Sequence, residues 1–285
     1  MRVVPRRLFG RLTALLSALL IAGLVGAAPA SADPAPTSLL TPPGANDWSC
    51  KPSAEHPYPV VLLHATFLNS SSWSALAPTL AQEGYCVYAL NYGGSFVGGD
   101  LIGGLGPMAK SAEQISAFVD RVRTATSSEK VDIVGHSQGG MLPRYYMKFL
   151  GGADKVHSLV GVAPDNHGTT WGAIGWLIRF FPPATNLVCT SCTEQLRDSD
   201  FIKKLNEGGE TLPGVHYTVI ATKYDEFATP YTTAFLDGPD VKNITIQDVC
   251  PNNRVEHLGL PADPDAVHLV LNALDPEHAT PVRCS

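Results

Sequence analysis

Residues 135–139 read Gly135-His136-Ser137-Gln138-Gly139, directly after a short apolar run at 131–134 and directly before a segment with helical spacing. A strand, a tight turn that carries a serine, and a helix are the context in which the pattern Gly-x-Ser-x-Gly forms a nucleophile elbow. The glycines let the strand and the helix approach closely, and the helix N terminus directs its free N–H groups toward the serine. The pattern therefore predicts a nucleophilic Ser137. The alternative is a serine that only shapes a turn or caps the helix.

Outward from this motif, apolar runs of strand length alternate with segments of helical periodicity. The predicted strands lie at 58–63, 86–90, 131–134, 159–163 and 215–221, and the predicted helices lie at 73–83, 111–126, 138–150 and 265–274. Short apolar runs bounded by Gly and Pro are typical of buried strands. Their alternation with helices predicts an α/β fold whose mostly parallel sheet is covered by helices on both faces.

The composition of the chain is that of a globular protein with a sizeable core. Its 285 residues are 45% hydrophobic and carry a formal net charge of −6. These values exclude a disordered chain, a collagen-like rod and a miniprotein held together by disulfides alone. An acidic chain has no general electrostatic attraction to nucleic acid, so no nucleic-acid partner is expected.

The first 32 residues have the pattern of an export signal. They contain four arginines and no acids, then an uncharged apolar stretch at 12–28, and end in Ala30-Ser31-Ala32, which predicts cleavage before Asp33. Without these 32 residues the chain has 253 residues and loses four basic side chains, which leaves 16 basic against 26 acidic and a net charge of −10. A membrane anchor is the alternative, although the stretch is short for a span. Arg6-Arg7 also permits twin-arginine export.

Three segments fall outside the alternation of strands and helices. Residues 33–47 are rich in Pro, Ala and Thr and predict an extended N-terminal arm ahead of one catalytic domain at 48–285. Residues 93–106 hold seven glycines in 14 positions but lack the Gly-Lys-Ser/Thr ending of a phosphate loop, which favours a mobile loop. Residues 171–181 are apolar on nearly all sides, which predicts a buried helix, a cap that lines a pocket for an acyl chain, or both.

A nucleophilic serine requires an oxyanion hole with preorganised donors. Gln138 follows the serine and supplies one backbone N–H. The second donor is expected from the loop after an early strand, where residues 60–67 read Val-Val-Leu-Leu-His-Ala-Thr-Phe. Thr66 is the candidate, through its backbone N–H and its hydroxyl. The alternative is an ordinary strand end.

The serine also needs a base, because a hydroxyl is a weak nucleophile until its proton is removed. In this fold the chain order is serine, acid, histidine. His257 lies in a loop rich in Gly and Pro just before the helix at 265–274, which is the expected place for that base. His157 and His216 are interpreted as packing residues, and His268 as a residue inside the last helix.

The acid that orients this histidine should follow a strand at the active-site edge of the sheet. Asp225 meets this condition because it comes shortly after the strand at 215–221. Asp165, which follows the strand at 159–163, is the alternative, and Glu226 is a weaker one. From the residues alone this choice stays open.

Six cysteines follow the signal segment, namely Cys50, Cys86, Cys189, Cys192, Cys250 and Cys284. An even number in an exported chain suggests three disulfides, and six cysteines allow 15 pairings. Cys189 and Cys192 also fit a redox pair or half of a zinc site, but no second Cys-x-x-Cys supplies the other two ligands. A local disulfide is the interpretation that we favour.

These motifs together resemble those of secreted lipases of the α/β-hydrolase superfamily, especially actinobacterial extracellular lipases and lipase B of the yeast Candida antarctica. The resemblance covers residues 48 to 284 and is carried by four segments: Thr66, Ser137-Gln138-Gly139-Gly140, Asp225-Glu226 followed by Pro230, and His257. One departure is Ala65, which stands after His64 where many lipases have glycine. A positive φ at that position would strain alanine.

The resemblance implies specific roles for these residues. It implies a catalytic triad of Ser137, Asp225 and His257, with Thr66 and Gln138 forming the oxyanion hole. It also pairs Cys50 with Cys86 and Cys250 with Cys284, which leaves Cys189 with Cys192. The residues expected to line the substrate pocket are Phe67, Trp171, Ile174 and Leu177.

The function implied by this resemblance is that of a secreted triacylglycerol lipase. It works through an acyl-enzyme as a monomer, without cofactor or metal, on acylglycerols or other esters, and a lipid–water interface is compatible with it. A short-chain carboxylesterase and a polyester hydrolase share every catalytic residue and stay open as alternatives. A non-catalytic binding module of the same fold is the alternative from a different class.

Overall fold

The structure is a computed structural model that describes residues 40–94, 99, 101–172 and 175–285, all within one compact unit. The predicted signal segment, the first part of the predicted arm at 33–39, and Ile174 lie outside the described residues. Over the described ranges, no helix combines the length and the apolar character needed to cross a bilayer.

The core of the fold is a six-stranded sheet in which every neighbouring pair is parallel, with the order β2-β1-β3-β4-β5-β6. The strands are β1 (Val60–Leu63), β2 (Val87–Leu90), β3 (Val131–His136), β4 (Val156–Val162), β5 (His216–Ala221) and β6 (Val241–Thr245). This arrangement confirms the predicted α/β class.

Helices follow the strands in chain order. The α-helices are α1 (Leu76–Gln82), α2 (Met108–Thr126), α3 (Gln138–Phe149), α4 (Gly175–Phe180), α5 (Pro182–Val188), α6 (Thr190–Glu194), α7 (Asp200–Asn206), α8 (Ile246–Val249) and α9 (Pro264–Leu274). Short 3₁₀ helices lie at Ser70–Trp73, Ala153–Lys155, Tyr231–Ala234, His257–Ala262 and Pro276–His278.

Each face of the sheet has its own hydrophobic cluster, because successive residues of a strand point to opposite sides. In β1, Val61 and Leu63 pack with side chains of α2 and α3, whereas Val60 and Leu62 pack with side chains of α1 and α9. All four are completely buried. Burial on both faces explains why these strands read as continuous apolar runs in the sequence.

Strand β6 is missing from the sequence prediction, and its position in the sheet explains why. It lies at the sheet edge beside β5, where Lys242 and Asn243 are exposed and only Thr245 is buried. An edge strand of this kind carries no apolar run. At the opposite edge, the arm predicted at 33–47 is not free at its end, because Ala45 forms a parallel bridge with Val87 of β2.

The apolar segment at 171–181 is not the buried helix that its composition predicts. It contributes the short helix α4, in which Ile178 is buried while Trp176 and Phe180 are 61% and 72% exposed. Helix α5 follows with Leu187 74% exposed. Ile178 of α4 packs inward, α5 contains no buried residue, and the remaining apolar side chains form a surface.

The backbones of β3 and α3 approach each other closely at two glycines. A Cβ added to Gly135 would collide with the backbone oxygen of Gly139, and one added to Gly139 would collide with the backbone oxygen of Leu63 in β1. Only glycine fits at these two positions, because the obstructing atoms belong to backbone that the sheet and the helix hold in place.

We therefore expect Gly139→Ala to lower the free energy of unfolding by about 3 kcal/mol, the upper end of the cost of overpacking. Gly106→Ala is the matched control, because its added Cβ would meet only atoms at 3.6 Å or beyond. Urea denaturation of both variants and the wild type measures the difference. Equal stability of the two variants would contradict the close approach.

Candidate active site

Ser137 occupies the turn between β3 and α3 with a φ of 53° and a ψ of −122°. This backbone conformation is unfavourable for a residue with a Cβ and persists only where the surroundings enforce it. Its backbone N–H donates to the Val162 carbonyl at 2.9 Å, which anchors the turn to β4. The elbow predicted from the sequence is present.

Asp225 and His257 form a buried hydrogen-bonded pair. The Nδ1 atom of His257 lies 2.8 Å from Oδ2 of Asp225, and both side chains are nearly inaccessible to solvent. The other carboxylate oxygen of Asp225 accepts the backbone N–H groups of Phe227 at 2.9 Å and Ala228 at 2.7 Å. Three hydrogen bonds thus fix this carboxylate toward the imidazole.

The two alternative acids, Asp165 and Glu226, do not form a hydrogen bond with the His257 ring. Asp165 makes no hydrogen bond to His257, and Glu226 accepts the backbone N–H of His257 at 3.1 Å instead of contacting its ring. The geometry therefore favours Asp225 among the three acids.

His136 lies between Gly135 and Ser137 in the elbow motif, and its side chain contacts the loop that carries His257. Its Nε2 lies 3.0 Å from the His257 carbonyl oxygen and donates to it. Burial drives the pKa of His136 well below its usual range, so the ring stays neutral and carries one N–H. No local sequence pattern indicates this contact, because the two residues are 121 positions apart.

Ser137 and His257 line one cavity of about 150 Å³. Its other lining residues are Ala65, Thr66, Phe67, Leu68, Asp165, Thr169, Trp171, Gln195, Phe227, Ala228 and Leu258. Across the described chain, no hydrogen bond joins the Ser137 hydroxyl to the His257 ring. Such bonds are often long before substrate binds.

Two of the four residues predicted to bind substrate are in place. Phe67 and Trp171 line the cavity, and their rings meet edge to face at 5.9 Å. Leu177 does not line it: this residue is 48% exposed on α4, because the segment forms a surface helix pair instead of folding over the pocket. Ile174 lies outside the described residues.

Thr66 lines the cavity together with Ser137, and Gln138 directly follows Ser137 in the chain. Neither backbone N–H has an acceptor within the part of the chain that the structure describes, and Gln138 is the first residue of α3, where such groups are free. The hydroxyl of Thr66 donates to Oε1 of Gln195 at 3.1 Å. Two free N–H groups at this place can receive an oxyanion.

A buried histidine and tyrosine support the loop that carries Thr66. The Tyr92 hydroxyl donates to the His64 carbonyl at 2.6 Å, and the Tyr92 N–H donates to Nε2 of His64 at 3.3 Å. Burial lowers the pKa of His64 to about 4, so its ring stays neutral and can accept that bond. The backbone strain falls on Phe67, with a φ of 65°, and Ala65 has no positive φ.

Part of the glycine-rich segment also belongs to this support. Gly103 accepts the Phe67 N–H at 3.0 Å, and Gly104 accepts Nε2 of Gln138 at 3.1 Å. Both glycines are buried. The prediction of a mobile loop is therefore wrong for Gly103 and Gly104, which are packed between the loop that carries Thr66 and helix α6.

The remaining histidines lie away from the cavity. His157 bonds to Asp132 at 2.8 Å at the opposite ends of the strands. His268 contacts Thr280 on the surface. His216, interpreted as a packing residue, is exposed, because it begins β5 where the strand emerges from the core.

The six cysteines form the three disulfides that the resemblance implied: Cys50 with Cys86, Cys189 with Cys192, and Cys250 with Cys284. Among the described residues, the only cluster of ligand-type side chains close enough for a metal ion is Cys250, Asp265 and Cys284. Its sulfurs are bonded to each other, and Asp265 accepts bonds from Asn253 and the Ser285 N–H. This donor set is already satisfied.

Asp165 is the anomalous side chain of the cavity. It is 2% exposed, and neither carboxyl oxygen has a hydrogen-bond partner among the described residues. Burial raises its pKa to about 7. Its own backbone N–H and His257 oppose this rise, and the negative charge of Asp225 adds to it.

Known lipases are similar to this chain in sequence. Residues 57–259 match the model of the Lipase (class 2) family. Triacylglycerol lipases from Pseudarthrobacter phenanthrenivorans and Burkholderia plantarii are each 37% identical over 94 residues, which is 31% of this chain. The match spans only 27% and 24% of those two proteins.

Solved structures agree on the fold. Lipase B of Aspergillus fumigatus has a TM-score of 0.66 at 20% identity, over 85% of this chain and 56% of that one. The mature Bacillus licheniformis lipase BlEst2 has a TM-score of 0.58 at 14% identity, over 78% of this chain and 94% of that one. The fold and site define an α/β hydrolase of the lipase type. The chain belongs to the Lipase (class 2) family.

The buried Asp165 carboxyl predicts a pH-dependent cost to stability. A raised folded-state pKa stabilises the folded protein below the unfolded pKa near 3.8, and this contribution is lost as pH rises toward 7. The stability of Asp165→Asn relative to wild type should therefore increase by about 3 kcal/mol between pH 5 and pH 8. Urea denaturation across this range measures it. Parallel curves for the two proteins would contradict an unpaired, titrating Asp165.

Proposed function

We propose that this protein is a secreted triacylglycerol lipase that hydrolyses esters through an acyl-enzyme on Ser137. The observation that carries the proposal is the meeting of a strained elbow serine and a buried Asp225–His257 pair in one cavity. Membership of the class 2 lipases and the names of the two triacylglycerol lipase relatives support the same reaction.

In this mechanism His257 removes the proton of Ser137 through Nε2, and the serine oxygen attacks the ester carbonyl. Asp225 holds Nδ1 of His257 and stabilises the imidazolium that forms. The N–H groups of Thr66 and Gln138 receive the oxyanion. The imidazolium protonates the departing alcohol, and water then cleaves the acyl-enzyme by the same steps.

Secretion is part of the proposal. The first 32 residues predict an export signal. Three disulfides and the absence of free cysteine among the described residues support an oxidising compartment.

The apolar surface beside the cavity supports a lipid substrate. A cavity of about 150 Å³ is below the usual range of ligand sites and holds only part of a triacylglycerol. Phe67 and Leu258 line its mouth and are 46% and 57% exposed. On α4, the buried Ile178 packs with Trp171 of the cavity wall, while Trp176 and Phe180 face outward. We propose that this surface contacts the lipid–water interface.

A short-chain carboxylesterase or a polyester hydrolase would use the same catalytic residues. The exposed aromatic side chains of α4 favour the lipase, because an enzyme for soluble esters gains nothing from them. A non-catalytic binding module does not account for the strained serine or for the oriented Asp225–His257 pair.

The reaction is tested by initial rates on p-nitrophenyl butyrate, p-nitrophenyl palmitate and emulsified triolein. Ser137→Ala should lower kcat by more than about 10⁴-fold, and Asp225→Asn by about 10³- to 10⁴-fold, because the imidazole loses its orienting partner. Fluorophosphonate labelling of Ser137 in the wild type provides a direct readout of the nucleophile.

The matched control for Asp225→Asn is Asp132→Asn. Asp132 forms an equally short bond with His157 outside the cavity, so its loss should leave kcat unchanged. Full activity in folded Ser137→Ala would contradict the proposed nucleophile. Activity on butyrate alone would replace the lipase by an esterase, and acid release from a polyester film without triolein cleavage would favour the polyester hydrolase.

The interface proposal predicts a selective loss on emulsions. Trp176→Ser combined with Phe180→Ser should reduce triolein hydrolysis about tenfold or more, since each large apolar side chain buried in lipid contributes about 2 kcal/mol. The rate on dissolved p-nitrophenyl butyrate should stay within about twofold of wild type.

Phe149→Ser is the control, because this aromatic residue is also partly exposed but ends α3, about 18 Å along the helix from Ser137. The same loss on both substrates, or an equal loss in the Phe149 variant, would refute a lipid-contacting role for α4.

A further inference from the structure

The carboxyl of Asp165 lines the cavity without a hydrogen bond and has no role in the mechanism proposed above. Thr66 donates to Gln195, Thr169 donates to the Phe227 carbonyl at 2.6 Å, and Gln195 donates to the Ser191 carbonyl at 3.0 Å. Apart from the reacting groups of Ser137 and His257, Asp165 is the polar lining side chain without a hydrogen bond in the described chain.

The position of Asp165 places it near the reacting atoms. It follows β4 by three residues, and β4 is the parallel neighbour of β3, which ends at the elbow. The carboxyl ends of adjacent parallel strands meet at one edge, so Ser137 and Asp165 share a cavity. Ala163, two residues earlier, has a φ of 44°, which adds a second strained backbone position beside the site.

A buried polar group without a hydrogen-bond partner destabilises the folded protein, because its loss of hydration is not compensated. Replacement by a nonpolar residue would remove that cost if the position served packing alone. The cavity is mostly apolar, with Ala65, Leu68 and Phe227 among its lining residues. None of its polar side chains forms a hydrogen bond with the Asp165 carboxyl within the described chain.

We propose that the Asp165 carboxyl, in its protonated form, donates a hydrogen bond to a second oxygen of the substrate, one that is not part of the scissile ester. The substrates favoured by this site are therefore esters that carry an ether, ester or hydroxyl oxygen close to the reacting carbonyl, as acylglycerols do through their neighbouring ester groups. The inference rests on the proposed hydrolase function of the same site and narrows its substrate class.

The protonation state of Asp165 decides whether it can donate. The titratable groups that act on it are His257 and Asp225 from their loops and Tyr92 from the end of β2. Burial keeps the carboxyl protonated up to about pH 7. Above that pH the carboxylate still accepts a bond from a hydroxyl, but it repels an ether or ester oxygen, which can only accept.

The test uses pairs of substrates in which an ether oxygen replaces one methylene. The alcohol-side pair is 2-methoxyethyl butyrate and butyl butyrate. The acyl-side pair is methyl 3-methoxypropanoate and methyl pentanoate. For each pair, the ratio of kcat/KM values is measured for wild type, Asp165→Asn and Asp165→Leu, and division by the Leu ratio cancels the intrinsic reactivity of the esters.

At pH 6, one of the two pairs should show a ratio about tenfold higher in wild type than in Asp165→Leu, since the Leu variant has no donor. Asp165→Asn should keep much of this preference, because its amide also donates. Between pH 6 and pH 9 the wild-type ratio should fall toward that of the Leu variant, whereas the Asn ratio should stay constant.

Equal ratios in all three proteins for both pairs would overturn the inference. A pH-independent wild-type ratio would also overturn it, and this comparison with Asp165→Asn remains decisive if the Leu variant does not fold. Wild-type activity distinguishes the failure of the two proposals: absence of hydrolysis on butyl butyrate, p-nitrophenyl butyrate and triolein refutes the proposed ester hydrolysis, whereas activity with equal ratios in all three proteins refutes only the role of Asp165.

Discussion

The active site depends on one close approach, that of the backbone of β3 and the first turn of α3. Gly135 and Gly139 make this approach sterically accessible, and a side chain at either position would collide with fixed backbone. The approach forces Ser137 into its strained conformation and directs the N terminus of α3 at the cavity. The proposed nucleophile and the proposed oxyanion donor Gln138 thus both depend on the same packing constraint.

The parallel sheet collects the other groups around that serine. Loops after β1, β4 and β5 carry Thr66, Asp165 and Asp225 to one edge, because all strands run in the same direction. His257 comes from a loop beyond the sheet and needs more support. Asp225 holds its ring, Glu226 its N–H and His136 its carbonyl. The elbow thus positions the proposed base as well as the proposed nucleophile.

The sequence predicts the features that depend on neighbouring residues, and it does not predict those that depend on residues far apart in the chain. Five strands and the elbow are encoded by local apolar runs and glycine spacing, so pattern reasoning finds them. Strand β6 is an exposed edge without such a run, and the outward face of α4 contradicts the usual link between apolarity and burial. The contact of His136 with the His257 loop and the burial of Gly103 depend on residues far apart in the chain.

The sequence alone also does not distinguish the roles of Asp165 and Asp225. These two residues are equivalent candidates for one role, because both follow strands at the same edge. Only the folded environment separates them: one carboxylate receives three hydrogen bonds, and the other receives none. Proteins keep destabilising groups where function requires them, and the stability lost at such a site is offset elsewhere in the fold. A buried acid in a mostly apolar cavity, without a hydrogen bond to any other described residue, is better explained by a ligand than by the fold.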